Sequence, residues 1–218
     1  MGHLGIGVLA SGRGSNFQSI IDAVERGYLR VTLRVLVTDN PEAFAIERAK
    51  NHGIEHLVMR PKEFASREEY FERIAAELKR RGVYLVVLAG FMRIVGKPLI
   101  DAFPGRIMNI HPALLPSFPG LHGQRQALDY GVKISGCTVH FVDEGMDTGP
   151  VIIQAAVPVS PDDTEETLSE RILKLEHRIF PEAIRLYAEG RLRVEGKAVK
   201  IFGYELDKGH IVNPLLRH

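Results

Sequence analysis

Between residues 4 and 90 short apolar runs alternate with amphipathic segments, and this alternation restricts the fold more than any other feature of the chain. The apolar runs are LGIGVLA (4–10), VTLRVLVTD (31–39), HLVM (56–59) and VYLVVLAG (83–90). They lack the in–out alternation of a strand with one wet face, which is the pattern of strands covered on both sides. The intervening segments read as helices. In SNFQSIIDAVERG, Phe17, Ile20, Ile21 and Val24 fall at helical spacing and Gly27 supplies a stop. Pro41 is expected to open a helix over PEAFAIERAKNHG, and Ser66 to cap SREEYFERIAAELKRRG with acids in its first turn. Strand–helix alternation of this kind implies an α/β fold, a doubly wound and mostly parallel sheet flanked by helices, Rossmann-like in its first half.

The second half differs. RIMNI (106–110), KISGCTVHFV (133–142) and PVIIQAAVPV (150–159) read as strands, HGQRQALDYG (122–131) as a helix, and DEGMDTG (143–149) as a loop. A long helix is expected over 164–190, kinked or restarted at Pro181, followed by a short strand pair around EGK (195–197). No linker or repeat interrupts the chain. It therefore reads as a single domain over 1–218, with a Rossmann-like half (1–100), a second half (101–200) sharing its sheet, and a patternless tail (201–218).

Charge narrows the function classes. Lys plus Arg (28) and Asp plus Glu (27) nearly cancel, which argues against a general nucleic-acid or membrane-surface binder. No run approaches the roughly 18 apolar residues that span a bilayer. MGHLGIGVLASG has no basic leader and lacks the Ser or Thr at position six that myristoylation needs, so a cytoplasmic protein is expected. The single cysteine, Cys137, lies in CTVHFV and reads as a buried inert thiol in a reducing compartment.

Two loops carry candidate chemistry. ASGRGSN (10–16) joins the first strand to the first helix; its glycines let backbone N–H groups approach an anion at a helix N-terminus. The competing reading is a tight turn with Asn16 as a cap. No GK[ST] follows, so this is not a mononucleotide P-loop. A dinucleotide site would use Gly12, Gly14 and Asp39, but Phe17 stands where the third glycine belongs. The second candidate is NIHP. On a strand, Asn109 and His111 share a face, and Pro112 stops the strand behind them. Amide and imidazole together suit a developing oxyanion, and the imidazole can also move a proton. Asp147 would favour the charged form of His111 if the fold brings them together, and is otherwise a turn aspartate. No G-x-S-x-G elbow, cysteine pair or H-E-x-x-H is present. His52 and His56 read as exposed loop residues, and His122 and His140 as either cleft-lining or structural.

GRGSN, LAGFMRIV (88–95), NIHPALLPSFPG (109–120), TVHFVDEGMDTGPVI (138–152) and SERILKLEHRIFP (169–181), in this order and spacing, resemble the phosphoribosylglycinamide formyltransferase family of purine biosynthesis. The resemblance covers residues from about 4 to 200. It implies transfer of a formyl group from 10-formyltetrahydrofolate, a co-substrate, to the amine of phosphoribosylglycinamide, with no metal, by a monomer or homodimer. It further implies that Asn109 and His111 stabilise the tetrahedral oxyanion and that Asp147 assists His111 and the proton transfer. Gly14, Ser15 and Asn16 would bind the substrate phosphate and Glu176 the glycinamide part. Met92, Arg93, Ile94, Val95, Asn109, Asp143, Glu144, Gly145, Met146 and Asp147 would bind the folate, with Arg67 at its glutamate tail. Two positions depart from the family. Leu173 replaces a polar residue, leaving the outer phosphate contact to Lys174 if to anything nearby, and HGQRQAL varies the loop after the catalytic segment.

Overall fold

A computed structural model describes residues 3–203 of the chain. Nine strands form one sheet: β1 (Leu4–Leu9), β2 (Val31–Thr38), β3 (His56–Val58), β4 (Leu85–Leu88), β5 (Ile107–His111), β6 (Ile134–Phe141), β7 (Val151–Pro158), β8 (Leu192–Glu195) and β9 (Ala198–Ile201). Their order across the sheet is β3-β2-β1-β4-β5-β6-β7-β9-β8. The first five pair in parallel, β6 pairs antiparallel with both β5 and β7, and β8–β9 is an antiparallel hairpin.

Among the described residues there are six α-helices: α1 (Ser15–Glu25), α2 (Ala45–Asn51), α3 (Arg67–Arg80), α4 (Lys97–Ala102), α5 (Gly123–Tyr130) and α6 (Glu165–Ala188). One face of the sheet packs Ile6, Val8, Val87, Met108 and Val139 against Phe17, Ile20 and Ile21 of α1, Ile46 of α2 and Phe180 and Ile184 of α6. The other packs Leu9, Val37, Val86, Leu88 and Ile107 against Tyr70, Phe71 and Ile74 of α3 and Leu99 of α4. In the central strands β1 and β4 both faces are buried, as their apolar runs required.

Several boundaries differ from expectation. Pro41 does not open α2. Asn40 bonds forward, accepting from Glu42 N at 3.0 Å through its side chain and from Ala43 N at 3.1 Å through its carbonyl, and this turn delays the helix to Ala45. Ser66 does cap α3, accepting from Glu69 N at 3.0 Å. Pro181 does not restart α6, which runs unbroken from Glu165 to Ala188. One missing N–H is tolerated because Phe180, Ala183 and Ile184 around it are fully buried against the sheet. The short helix α4 was not legible beforehand. His52 and His56 are half-buried rather than exposed, and His52 Nδ1 pairs with Glu25 Oε1 at 2.6 Å. The tail beyond Gly203 lies outside the described residues.

Candidate functional site

The chain leaves β1 for β2 on one side of the sheet and later leaves β4 for β5 on the other, so the strand order reverses between β1 and β4. Open α/β sheets bind ligands in the crevice above such a point. Here the loops after β1 and β4 are tied together: Ser11 N donates to Gly90 O at 3.0 Å, and Met92 N to Ser11 Oγ at 3.0 Å. The two candidate loops therefore flank one crevice, on either side of the sheet edge.

On the β4–β5 side a cleft of about 1000 Å³ opens, large enough for a drug-sized or larger ligand. Asn109 and His111, two apart on β5, both line it. The antiparallel partner β6 sets His140 directly opposite Asn109 and Thr138 opposite His111. Asn109 Nδ2 donates to His140 Nε2 at 3.1 Å, while His140 Nδ1 donates to the carbonyl of Phe141 at 2.8 Å. That pattern requires a neutral His140 with its lone pair on Nε2, and burial accordingly lowers the His140 pKa. One N–H of the Asn109 amide remains for a ligand.

His111 is buried. Its Nε2 donates to Phe118 O at 2.8 Å and its Nδ1 lies 3.4 Å from Asp147 Oδ2. Both ring nitrogens therefore face oxygens. Asp147 is thus beside His111, and its Oδ1 is 3.6 Å from His140 Nε2. The Asp147 carboxylate also accepts from Gly120 N at 2.8 Å, which joins the 143–149 loop to the segment after β5. That segment is further pinned by Thr138, whose hydroxyl donates to Ala113 O at 2.7 Å and accepts from Leu115 N at 3.1 Å. Among the described residues the non-glycine positions with positive φ are Phe118 (56°), His122 (61°) and Asp147 (55°). All three belong to this constellation, where such strain commonly concentrates.

Met92, Arg93, Ile94 and Val95 line the cleft, as do Gly145, Met146 and Arg67. Arg67 lies at the mouth, its Nη2 donating to Ile94 O at 2.8 Å. Met92, Ile94, Leu121 and Met146 are exposed around the opening, an apolar rim of the kind that marks binding sites. Asp143 and Glu144 do not line the cleft. Asp143 Oδ1 instead accepts from Gly145 N and Thr148 Oγ1, at 3.1 and 2.7 Å, so it shapes the loop; Glu144 pairs with Lys97 at 2.9 Å. His122 and His140 both line the cleft, which settles the choice left open for them.

On the β1 side, Gly14 (φ 67°) caps α1, and Ser15 and Asn16 form its first turn. Asn16 is therefore not the cap. Its side chain is buried, and Nδ2 donates to Glu176 Oε2 at 2.7 Å, whereas Oδ1 has no hydrogen-bond partner among the described residues. Glu176 is buried on α6, and desolvation raises its carboxyl pKa against the opposing Asn16 bond. Leu173 is half-buried one turn before Glu176, and Lys174 is exposed two positions from it on a different side of the helix. A dinucleotide reading loses its supports: Phe17 is fully buried in the core, and Asp39 is engaged by Arg93.

Cys137 is fully buried and its thiol is pushed up to about 12 by desolvation, so it is no nucleophile. Among the described residues no group of three or more His, Cys, Asp or Glu could hold a metal, and no helix is long and apolar enough to cross a membrane.

Comparison with known proteins gives the family of the chain. The sequence profile of the formyl transferase family matches residues 5–184. The chain is 48% identical over 187 residues to the trifunctional purine biosynthetic protein adenosine-3 of Drosophila melanogaster, covering 85% of this chain and 14% of that protein. It therefore spans about a seventh of that relative's length. It is 44% identical over 178 residues to the phosphoribosylglycinamide formyltransferase of Bacillus subtilis (strain 168), covering 82% of this chain and 91% of that one. The crystal structure of glycinamide ribonucleotide transformylase 1 from Symbiobacterium toebii superposes with a TM-score of 0.90 at 53% identity, over 91% of this chain and 94% of that one. The chain belongs to the formyl transferase family, within the branch that holds the phosphoribosylglycinamide formyltransferases.

Proposed function

We propose that this protein transfers the formyl group of 10-formyltetrahydrofolate to the amine of phosphoribosylglycinamide, a step of purine biosynthesis. The observation that carries the reading is the convergence of Asn109, His111 and Asp147 in one cleft at the crevice, beside a separate anion loop. The folate occupies the apolar cleft, with its planar and aromatic parts against the Met92–Val95 wall and its glutamate tail towards Arg67. The ribonucleotide phosphate sits on the N–H groups of Gly14, Ser15 and Asn16 at the start of α1. The orphaned Asn16 Oδ1 accepts a hydrogen bond from the glycinamide end, beside Glu176.

The amine attacks the formyl carbon and an oxyanion forms. The spare Asn109 N–H stabilises it, and His111 joins as its Nε2–H turns from the Phe118 carbonyl to the new charge. The carboxylate of Asp147 holds the imidazolium and takes part in moving the amine proton towards the departing folate nitrogen. Collapse of the intermediate breaks the bond to the folate, giving the formylated amide and tetrahydrofolate.

The test is purified protein with 10-formyltetrahydrofolate, following folate absorbance with and without glycinamide ribonucleotide. Conversion that requires the ribonucleotide is expected. Rapid deformylation without it, unaffected by its addition, would replace the transferase reading with a hydrolytic one.

A further inference from the structure

The segment 91–96, between β4 and α4, has no regular structure, so its polar groups must find partners outside it. Three consecutive residues of this cleft wall do so. Met92 N donates to Ser11 Oγ at 3.0 Å, Arg93 Nε donates to Asp39 Oδ2 at 2.5 Å, and Ile94 O accepts from Arg67 Nη2 at 2.8 Å. The wall thus hangs from the ends of β1 and β2 and from the start of α3. Arg67 lines the cleft itself. Ser11 and Asp39 do not; they reach it through Met92 and Arg93, which do.

Both of these anchors are themselves fixed. Ser11 N donates to Gly90 O at 3.0 Å, and the Ser11 carbonyl accepts from Asn40 Nδ2 at 3.3 Å, which joins it to the residue after Asp39. Asp39 stands where a dinucleotide fold would place its ribose-binding acid, but here the position serves an arginine of the neighbouring loop. Its side chain is 8% exposed against 44% for Arg93, and its Oδ1 is buried with no hydrogen-bond partner among the described residues. An unpaired carboxylate at such a site is costly, so the pair holds Arg93 towards β2. Met92 and Ile94, on either side, are 63% and 56% exposed, and core packing does not hold them. Their place is set by the backbone, and the backbone by these bonds.

We propose that Ser11 and Asp39 are positioning residues for the folate: they preform the Met92–Val95 wall, so that binding does not have to order it. The inference rests on the folate-binding reading above. The anion loop has separate support from α2, through Ala45 N to Gly12 O at 3.1 Å and Arg48 Nε to Arg13 O at 2.9 Å. The ribonucleotide side therefore keeps its support when either anchoring side chain is changed.

The experiment measures Kd for tetrahydrofolate by calorimetry, with steady-state formyl transfer alongside, for the full chain and its Ser11→Ala, Ser11→Thr and Asp39→Asn variants. Ser11→Ala removes one neutral hydrogen bond and should raise this Kd, and KM for 10-formyltetrahydrofolate, by about 3–10-fold. Asp39→Asn removes the charge that holds Arg93 and should raise both by about 5–50-fold. Ser11→Thr keeps a hydroxyl and should stay within about twofold of the wild type. In all three, kcat and KM for glycinamide ribonucleotide should stay within about threefold, because the wall binds ground and transition states alike. Wild-type tetrahydrofolate Kd in both Ser11→Ala and Asp39→Asn overturns the proposal. So does an equal loss on folate and ribonucleotide, which would mark a general loss of structure. A wild-type protein that binds tetrahydrofolate without transferring formyl groups would overturn the formyl-transfer reading and leave this one standing.

Discussion

Asn109 shows how a single side chain can be legible while its support is not. Its spacing from His111 on an apolar strand, with proline behind, marked both residues as exceptions to a buried run. The local pattern left His140 open between cleft-lining and structural, because its role depends on the register of an antiparallel pair 31 residues away. A neutral His140 imidazole accepting from Asn109 Nδ2 leaves the other N–H of an amide that lines the cleft free for a ligand, which makes His140 a candidate positioning residue. The two should act as a unit. We expect His140→Ala and Asn109→Ala each to lower kcat, by about 10²–10³ for Asn109→Ala. In the double variant the loss should be clearly smaller than the product of the single losses, a coupling of about 0.5–3 kcal/mol in a double-mutant cycle. Multiplicative losses would show that His140 acts independently of Asn109.

At the scale of elements, the helices whose caps and stops are written locally were legible, and the departures came where long-range packing overrides local signals. Ser66 and the acids after it fix the start of α3 within the sequence itself. Pro41 opens no helix because Asn40 diverts the chain into a turn first, and Pro181 restarts none because the buried flank of α6 outweighs one lost hydrogen bond. The anion loop was legible as a loop, but its attachment to α2 was not, since Ala45 and Arg48 carry no pattern of their own. That attachment makes Gly14→Ala informative. The position has φ 67°, and the added methyl would meet Ala45 Cβ at 2.7 Å. Conformational strain alone costs about 1–3 kcal/mol, so chemical denaturation should show at least that loss, with a raised KM for the ribonucleotide and little change for the folate. An unaltered midpoint and unaltered KM would mean the loop relaxes without consequence.

For the molecule as a whole, the sheet joins two candidate ligand sites through one reversal of strand order, and it also buries ionisable groups whose titration couples to folding. The carboxyl of Glu176 is raised by desolvation above its ordinary 4.5. Its contribution to stability is then fully present below the unfolded value and is lost as pH rises through the folded one. His140 and His177 are lowered below 6.5, so the unfolded chain protonates first and stability falls as pH drops below that value. Glu176→Gln keeps an oxygen to accept from Asn16 but cannot ionise. Thermal unfolding of both proteins between pH of about 4 and about 8 should show the variant gaining on the wild type as pH rises. A constant difference across that range would show that the carboxyl titrates alike in both states.

The account depends most on Asp147 as the acid–base partner of His111 rather than an ordinary turn aspartate, and Asp147→Asn addresses this with little change of shape. The amide can still accept from Gly120 N, so the loop and the cleft should persist. The measurement is kcat for formyl transfer to glycinamide ribonucleotide at neutral pH, with KM for 10-formyltetrahydrofolate determined alongside. The account predicts a fall in kcat of roughly 10²–10⁴, typical of an acid–base group, and a folate KM within a few-fold of the wild type. Near-wild-type kcat in Asp147→Asn would contradict it.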